Sequence, residues 1–435
     1  LEGDDNISDV SIGRLSIRSL SHLANITNKI LHYEQEPFLN NEDWFKRALC
    51  VGDPSLSGIS TIITNQIIAE LMLNNDYNEV LEVYEYPFVP EIENGINDGV
   101  SFYNYRGFAG SSGWQKDDAN NLENGYMLPV VSIITCDTGS FLEDEESTAE
   151  NFLRTGSISI PRGGVAAIGM ATQGTHTMFN NCLDYGLYHA IFVENVKTLG
   201  EALRYAKNNL WLNYPDNPNS YVDIFSHWIN LMGDPTLSVW TDIPQSLDIN
   251  VEPSLPYGQN HLDVQITSNN EPIDNVTITI TDQDYNLISK GITDENGFAQ
   301  LTFDLESVEI GEYYLTSSKN NYIPLFNNLY IEEASISMNI EEFNVVNQNS
   351  SSDIHPGDNI IFDFNIHNYG LLALSDLSGE IIFNDPDILI DNNSFVIESL
   401  ISSNQLSTPI EIEGSINSSV FHKEIVGEII TYYDD

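Results

Sequence analysis

The sequence predicts an α/β domain built on a mostly parallel sheet, followed by two all-β sandwich domains. Three observations lead to this reading. Over residues 1–244 helical and strand patterns alternate, the order expected of α/β folds. Past Pro244 the helical period vanishes, and apolar and polar residues alternate in short runs separated by turns, as in antiparallel sandwiches. A second block of this kind begins near Ser335. At 435 residues the chain has room for two or three domains, and the expected boundaries are 1–244, 245–334 and 335–435.

In chain order, residues 15–33 have helical periodicity, and so do residues 60–74, where Ile63, Ile67 and Leu71 recur at helical spacing. Helical signals return at 147–154, 184–194 and 199–210. Short apolar runs at 48–51, 100–105, 130–135 and 165–170 read as buried strands between them. Beyond Pro244, alternating runs at 262–267, 276–281, 299–303 and 313–316 read as half-buried strands, with a turn signal at Asp294 to Gly297. Residues 356–368, which open with Pro356 and Gly357, resemble the entry strands of Ig-like modules that follow secreted bacterial enzymes.

The most informative segment is 128–141. A buried apolar strand runs into Cys136, and a small-residue turn follows it. A strand ending there presents its sulfur at the carboxyl edge of the sheet, where α/β proteins place ligands and chemistry. The helix expected at 147–154 can turn its positive end toward a thiolate. The local pattern fits an ordinary buried cysteine equally well.

A set of segments decides between these readings. They are 9–14 from Asp9 to Arg14, 32–37 after His32, 44–50 from Trp44 to Cys50, 104–107 with Trp114, the Cys136 strand, 163–168, and 233–237 from Gly233. In this order they resemble the gingipain-type cysteine peptidases, a caspase-like family, from the first residues to about Thr241. The resemblance implies a caspase-like α/β domain, a protein or peptide substrate, and Cys136 as the nucleophile of an acyl-enzyme mechanism. It implies backbone N–H groups at Gly107 and Cys136 as the oxyanion holders. It also implies an acid among Asp4, Asp5 and Asp9, with Asp9 taken here, to orient the base. In the family a Gly-His-Gly turn supplies that base. Here Phe108 stands at the histidine position, and a phenyl ring neither accepts nor donates a proton.

Of the nine histidines, His176 is the candidate substitute. It lies in the loop after the 165–170 strand, which is expected beside the Cys136 strand. The alternative is a loop histidine without a chemical role. His227 is expected to be a packed core histidine, and Cys50 and Cys182 to lie in packed elements. Two functions therefore stand side by side. One is a secreted peptidase that hydrolyses peptide bonds through Cys136. The other is a catalytically silent peptidase fold serving as a surface adhesion or binding scaffold, with Phe108 as the discriminating residue.

Composition narrows the partners. Fifteen Lys and Arg against 65 Asp and Glu give a formal charge of -50, which repels nucleic acid and anionic membranes. With 41% hydrophobic residues the chain has ample material for cores. Three cysteines exclude a disulfide framework, and nothing has zinc spacing or a nucleotide fingerprint. No cofactor is expected to be required. A structural calcium ion is expected at Asp4 and Asp5, whereas the 282–293 loop fails the EF-hand pattern at Leu287 and Thr293. No run spans a bilayer, and nothing indicates an oligomer. Leu1 is not an initiator, so the sequence reads as a fragment of a secreted or cell-surface protein. By the resemblance a first caspase-like subdomain is expected before Leu1, and as a fragment the sequence leaves room for a signal segment and a carboxyl-terminal sorting domain in the longer protein.

Overall fold

The computed structural model describes residues 8–142, 145–348, 353–421 and 423–433. The chain divides into two units, 1–246 with 319–324, and 247–318 with 325–435.

The first unit runs α1 (Leu20–Gln35), β1 (Arg47–Gly52), α2 (Ser60–Leu73), β2 (Glu79–Val83), α3 (Phe88–Asn97), β3 (Phe102–Arg106), α4 (Lys116–Asn121) and β4 (Val130–Ile133). It continues with α5 (Thr148–Arg154), a small hairpin of β5 (Gly156–Ser157) and β6 (Ile160–Pro161), β7 (Ala166–Met170), α6 (Thr177–Phe192), α7 (Leu199–Asn213), α8 (Tyr221–Trp228) and β8 (Ile229–Met232). The strands form one sheet in the order β2-β1-β3-β4-β7-β8. All neighbours pair in parallel except β8, which runs antiparallel to β7. Strands β3, β4 and β7 are buried along their whole length, which is why they read as continuous rather than alternating apolar runs.

Helix α1 starts at Leu20 rather than at residue 15. Ser19 caps it by accepting the His22 amide proton at 3.2 Å. The preceding chain is drawn out along β8, where Arg14 bridges Met232 in parallel. Helix α6 begins earlier than its periodicity suggests, because His176 serves as its N-cap. Strand β2, helices α3 and α8, and strand β8 were not legible in the pattern. Strand β2 is only half-buried, and β8 has only four residues.

Polar side chains of the central strands meet beneath the sheet. Asn104 donates to Asp184 at 2.9 Å and to Asn65 at 3.1 Å, and it accepts from the Ser132 hydroxyl at 2.6 Å. Burial without partners would be costly for each of these groups. Together they lock α2 and α6 to the sheet.

The second unit is all-β. One pair of sheets comprises Ser254–Pro256, Leu325–Glu332, Gly311–Ser318, Thr277–Thr281 and Leu287–Ile292, set against Glu271–Pro272, His261–Ser268, Phe298–Thr302 and Asp248–Asn250. Leu262, Val264 and Ile266 on alternate positions of one strand are buried, the period-two signature read from the sequence. The second pair comprises Met338–Asn347, Asn359–Asn368, Ile410–Ile416, Ile388–Ile390 and Gln405–Leu406, with Ser394–Ile397, Leu377–Phe383 and Gly427–Tyr432 in the other sheet. Its core is lined by Ile360, Phe362, Phe364 and Ile366. Among the described residues no helix is long and apolar enough to cross a membrane.

Candidate active site

Three loops at the carboxyl ends of β3, β4 and β7 converge, because their parent strands are adjacent and parallel. The chain leaving β3 carries Gly107 and Phe108, that leaving β4 carries Thr135 and Cys136, and that leaving β7 carries Thr175 and His176. Hydrogen bonds join them. The Thr135 hydroxyl donates to the Gly107 carbonyl at 2.9 Å, Asp137 N to the Thr172 carbonyl at 3.0 Å, and Gly139 N to the Met170 carbonyl at 2.9 Å. Gly139 and Gly169 are in backbone contact. A Cβ on Gly139 would lie 2.5 Å from the Gly169 carbonyl carbon, so only glycine allows this approach.

The half-buried Cys136 sulfur meets the Thr175 hydroxyl at 3.1 Å. That hydroxyl accepts a hydrogen bond from Asn180 Nδ2 at 2.9 Å. Asn180 sits in the first turn of α6, whose amino end therefore borders the sulfur. The macrodipole there favours negative charge. Residues 109–110, Trp114, Lys116, Asp137, Glu146 and Cys136 line a cleft of about 750 Å³. Thr148, the first residue of α5, is also in its wall. Within the cleft Glu146 pairs with Lys116 at 2.7 Å and with Arg154 at 3.1 Å. Burial would raise the Glu146 pKa, but the hydrogen bonds from Lys116 and Arg154 outweigh it and hold the carboxyl below its usual range.

Under the site lies Arg106, fully buried and one residue before Gly107. It donates to the Ile134 carbonyl and, through Nε and Nη2, to Asn181 Oδ1 at 3.0 and 2.7 Å. Its Nε is 3.8 Å from Asp184 Oδ2. Burial lowers the Arg106 pKa, while Asp184, Tyr105 and the Cys136 sulfur act in the opposite direction. Burial pushes the Asp184 carboxyl up to about 7, against the pull of Arg106 and of the Asn104 hydrogen bond.

The other candidate residues are placed as follows. Gly107 is buried, and a Cβ there would lie 2.3 Å from the Tyr105 hydroxyl oxygen. Phe108 is 47% exposed, so its ring is not part of the core. His176 is exposed, and its Nδ1 accepts the Met178 amide proton at 3.3 Å. Asp9 lies in the wall of a different cleft. Asp4 and Asp5 lie outside the described residues. Among the described residues no group of three or more His, Cys, Asp or Glu side chains is arranged to hold a metal ion. His227 differs from the expectation of a packed core histidine. It is exposed at the end of α8, and its Nδ1 bonds the Asp223 carbonyl at 2.7 Å. Sequence reasoning missed Thr175, Asn180 and Arg106. The signal available was position: Arg106 is the last residue of β3, Thr175 directly precedes the α6 cap, and Asn180 lies in the first turn of α6.

Comparison with known proteins bears on the family and the fold. The model of peptidase family C25 matches residues 1–240. Gingipain R2 of Porphyromonas gingivalis is 31% identical over 178 residues, covering 38% of this chain and 24% of that protein. Lys-gingipain HG66 of the same organism is 21% identical over 357 residues, or 74% of this chain and 20% of that protein. The chain therefore matches about a quarter or less of the length of these relatives. The crystal structure of the Arg-specific cysteine proteinase gingipain R superposes with a TM-score of 0.68 at 21% identity, over 76% of this chain and 77% of that one. A structure described as a protease gives a TM-score of 0.62 at 17% identity over 76% of each chain. These structural likenesses establish the fold.

Proposed function

Since the chain belongs to peptidase family C25, we propose that it is a cysteine peptidase acting on protein or peptide substrates, with Cys136 as its nucleophile. The observation that supports this most directly is the sulfur itself. It is half-buried in the loop three residues past the end of β4, opens on a cleft, and lies in hydrogen-bond reach of a hydroxyl at the amino end of a helix. The sulfur attacks a peptide carbonyl, the C–N bond breaks, and the acyl group left on sulfur is released by water. Backbone N–H groups at Gly107 and Cys136 hold the developing oxyanion in this reading. The proton from the thiol passes to His176 and then to the leaving amine. To accept it, the imidazole gives up its 3.3 Å cap bond to Met178, which is long enough to be weak. The two carboxyl-terminal sandwiches are Ig-like modules in this proposal, and the whole protein works outside the cell.

A second reading rests on Phe108. Its exposed phenyl ring occupies the place where the family resemblance puts a histidine, which favours a binding scaffold without catalysis. One experiment separates the two. The chain is incubated with a peptidyl chloromethyl ketone library and with fluorogenic peptides, alongside Cys136→Ala and His176→Ala. The peptidase reading expects a covalent adduct on Cys136, turnover that disappears in Cys136→Ala, and a fall of at least about tenfold in His176→Ala. If Phe108→His creates turnover that the parent lacks, the parent is the scaffold.

A further inference from the structure

The chain has 15 Lys and Arg against 65 Asp and Glu, so cations gathered around one cavity stand out. Arg14, Arg204 and Lys207 line a cleft of about 730 Å³ beside the edge strand β8, together with Ser226, His227 and Asn230. It shares no lining residue with the Cys136 cleft. Asp9 is the only carboxylate among its described lining residues.

The side chains have been left ready for a ligand. The Arg14 guanidinium lies 3.9 Å over the Phe141 ring, a contact that fixes its plane without neutralising it. Arg204 is loosely paired with Glu201 at 3.6 Å. Lys207 has no ion pair among the described residues, and burial alone accounts for its lowered pKa. The most telling group is Ser226. It is only 6% exposed, yet its Oγ has no hydrogen-bond partner. A buried hydroxyl left unpaired is expensive, and a ligand oxygen relieves that cost. With Asp9 subtracted from three cations the lining carries a formal surplus of about two positive charges, which matches a dianion. The cavity is of small-molecule size, larger than a bare tetrahedral ion needs.

We propose that this cleft binds a phosphate or sulfate group, with Arg14, Lys207 and Ser226 as its principal donors and Arg204 as a second cation at the rim. The site is independent of the peptidase reading, because no step of that chemistry passes through it.

The test is calorimetric titration of the intact chain with inorganic phosphate, inorganic sulfate and glucose 6-phosphate, against sodium chloride at matched ionic strength. Saturable binding is expected for the dianions and none for chloride. Lys207→Met and Arg14→Gln should each weaken binding by about tenfold or more, and Ser226→Ala by about threefold to tenfold. Lys207→Arg should retain it. Glu201→Gln, which frees Arg204, should tighten it, and this gain cannot arise from misfolding. Sugar phosphate bound much more tightly than free phosphate identifies a group carried on a larger molecule. Equal affinities identify the free ion. Dianions that bind no better than chloride, or affinities that ignore both Lys207→Met and Glu201→Gln, overturn the assignment.

Discussion

The Thr175 hydroxyl lies 3.1 Å from the Cys136 sulfur and accepts an amide proton from Asn180 at 2.9 Å. Asn180 occupies one of the two lone pairs of this hydroxyl, so either partner can donate while the sulfur is a thiol, and the hydroxyl is the donor once the sulfur is a thiolate. A donor at 3.1 Å stabilises thiolate more than thiol. Thr175→Val is expected to slow iodoacetamide alkylation of Cys136 at neutral pH by about fivefold, the value of one hydrogen bond of about 1 kcal/mol. Thr175→Ser should restore it. An unchanged rate in Thr175→Val would show that the contact is packing alone.

The three thiols should label in a fixed order. Burial pushes the Cys50 thiol far up and the Cys182 thiol up to about 11, and a protonated thiol is a poor nucleophile. Cys136 lines an open cleft. Brief iodoacetamide treatment followed by peptide mass spectrometry should find Cys136 modified first, Cys182 slowly, and Cys50 only on unfolding. Cys182 or Cys50 labelling ahead of Cys136 would contradict the placement of the reactive sulfur.

Gly139 should tolerate no side chain. Its Cβ would collide with the Gly169 backbone at 2.5 Å, and backbone cannot rotate away as a flexible side chain can. Gly139→Ala should cost about 2 kcal/mol or more in chemical denaturation and also slow Cys136 alkylation, because the loop that bears the sulfur must shift. A variant as stable as the parent would show that the two loops are not pressed together.

Lys29 gives a pH signature. It is wholly buried, and its Nζ donates to the carbonyls of Phe152 and Arg162 at 3.2 Å each. Burial lowers its pKa from 10.5 to about 7. Between those values the unfolded chain binds a proton that the folded chain does not, so this group makes stability rise with pH across that window. Compared with Lys29→Met, the parent should gain stability in urea denaturation from pH 7 to pH 10. A constant difference would mean that the amine stays charged in its carbonyl cage.

Much of the framework was legible because its signals are local. The apolar runs at β1, β3, β4 and β7 and the periodicity of α2 and α7 come from burial on known faces, and Cys136 stood out at the end of one such run. What escaped depends on partners distant in sequence. Strand β8 has too few residues for a pattern and exists because β7 offers an edge. Arg106 reads as a surface residue until Asp184 and Asn181, more than 70 positions away, are brought beneath it. Thr175 looked like loop filler beside the more conspicuous His176, and only the juxtaposition of the β4 and β7 loops shows which of them meets the sulfur.

The tie from the Thr135 hydroxyl to the Gly107 carbonyl has a consequence for how such a site can change over generations. It joins main chain to side chain on the near side of position 108, and the glycine contact joins the β4 loop to its other neighbour. The platform that presents the sulfur is thereby closed without any help from the exposed side chain at 108. A substitution of that side chain leaves the architecture standing, so the chemistry offered at position 108 and the fold can vary separately. The side chain at 108 can change in one codon while the platform that presents the sulfur stays intact.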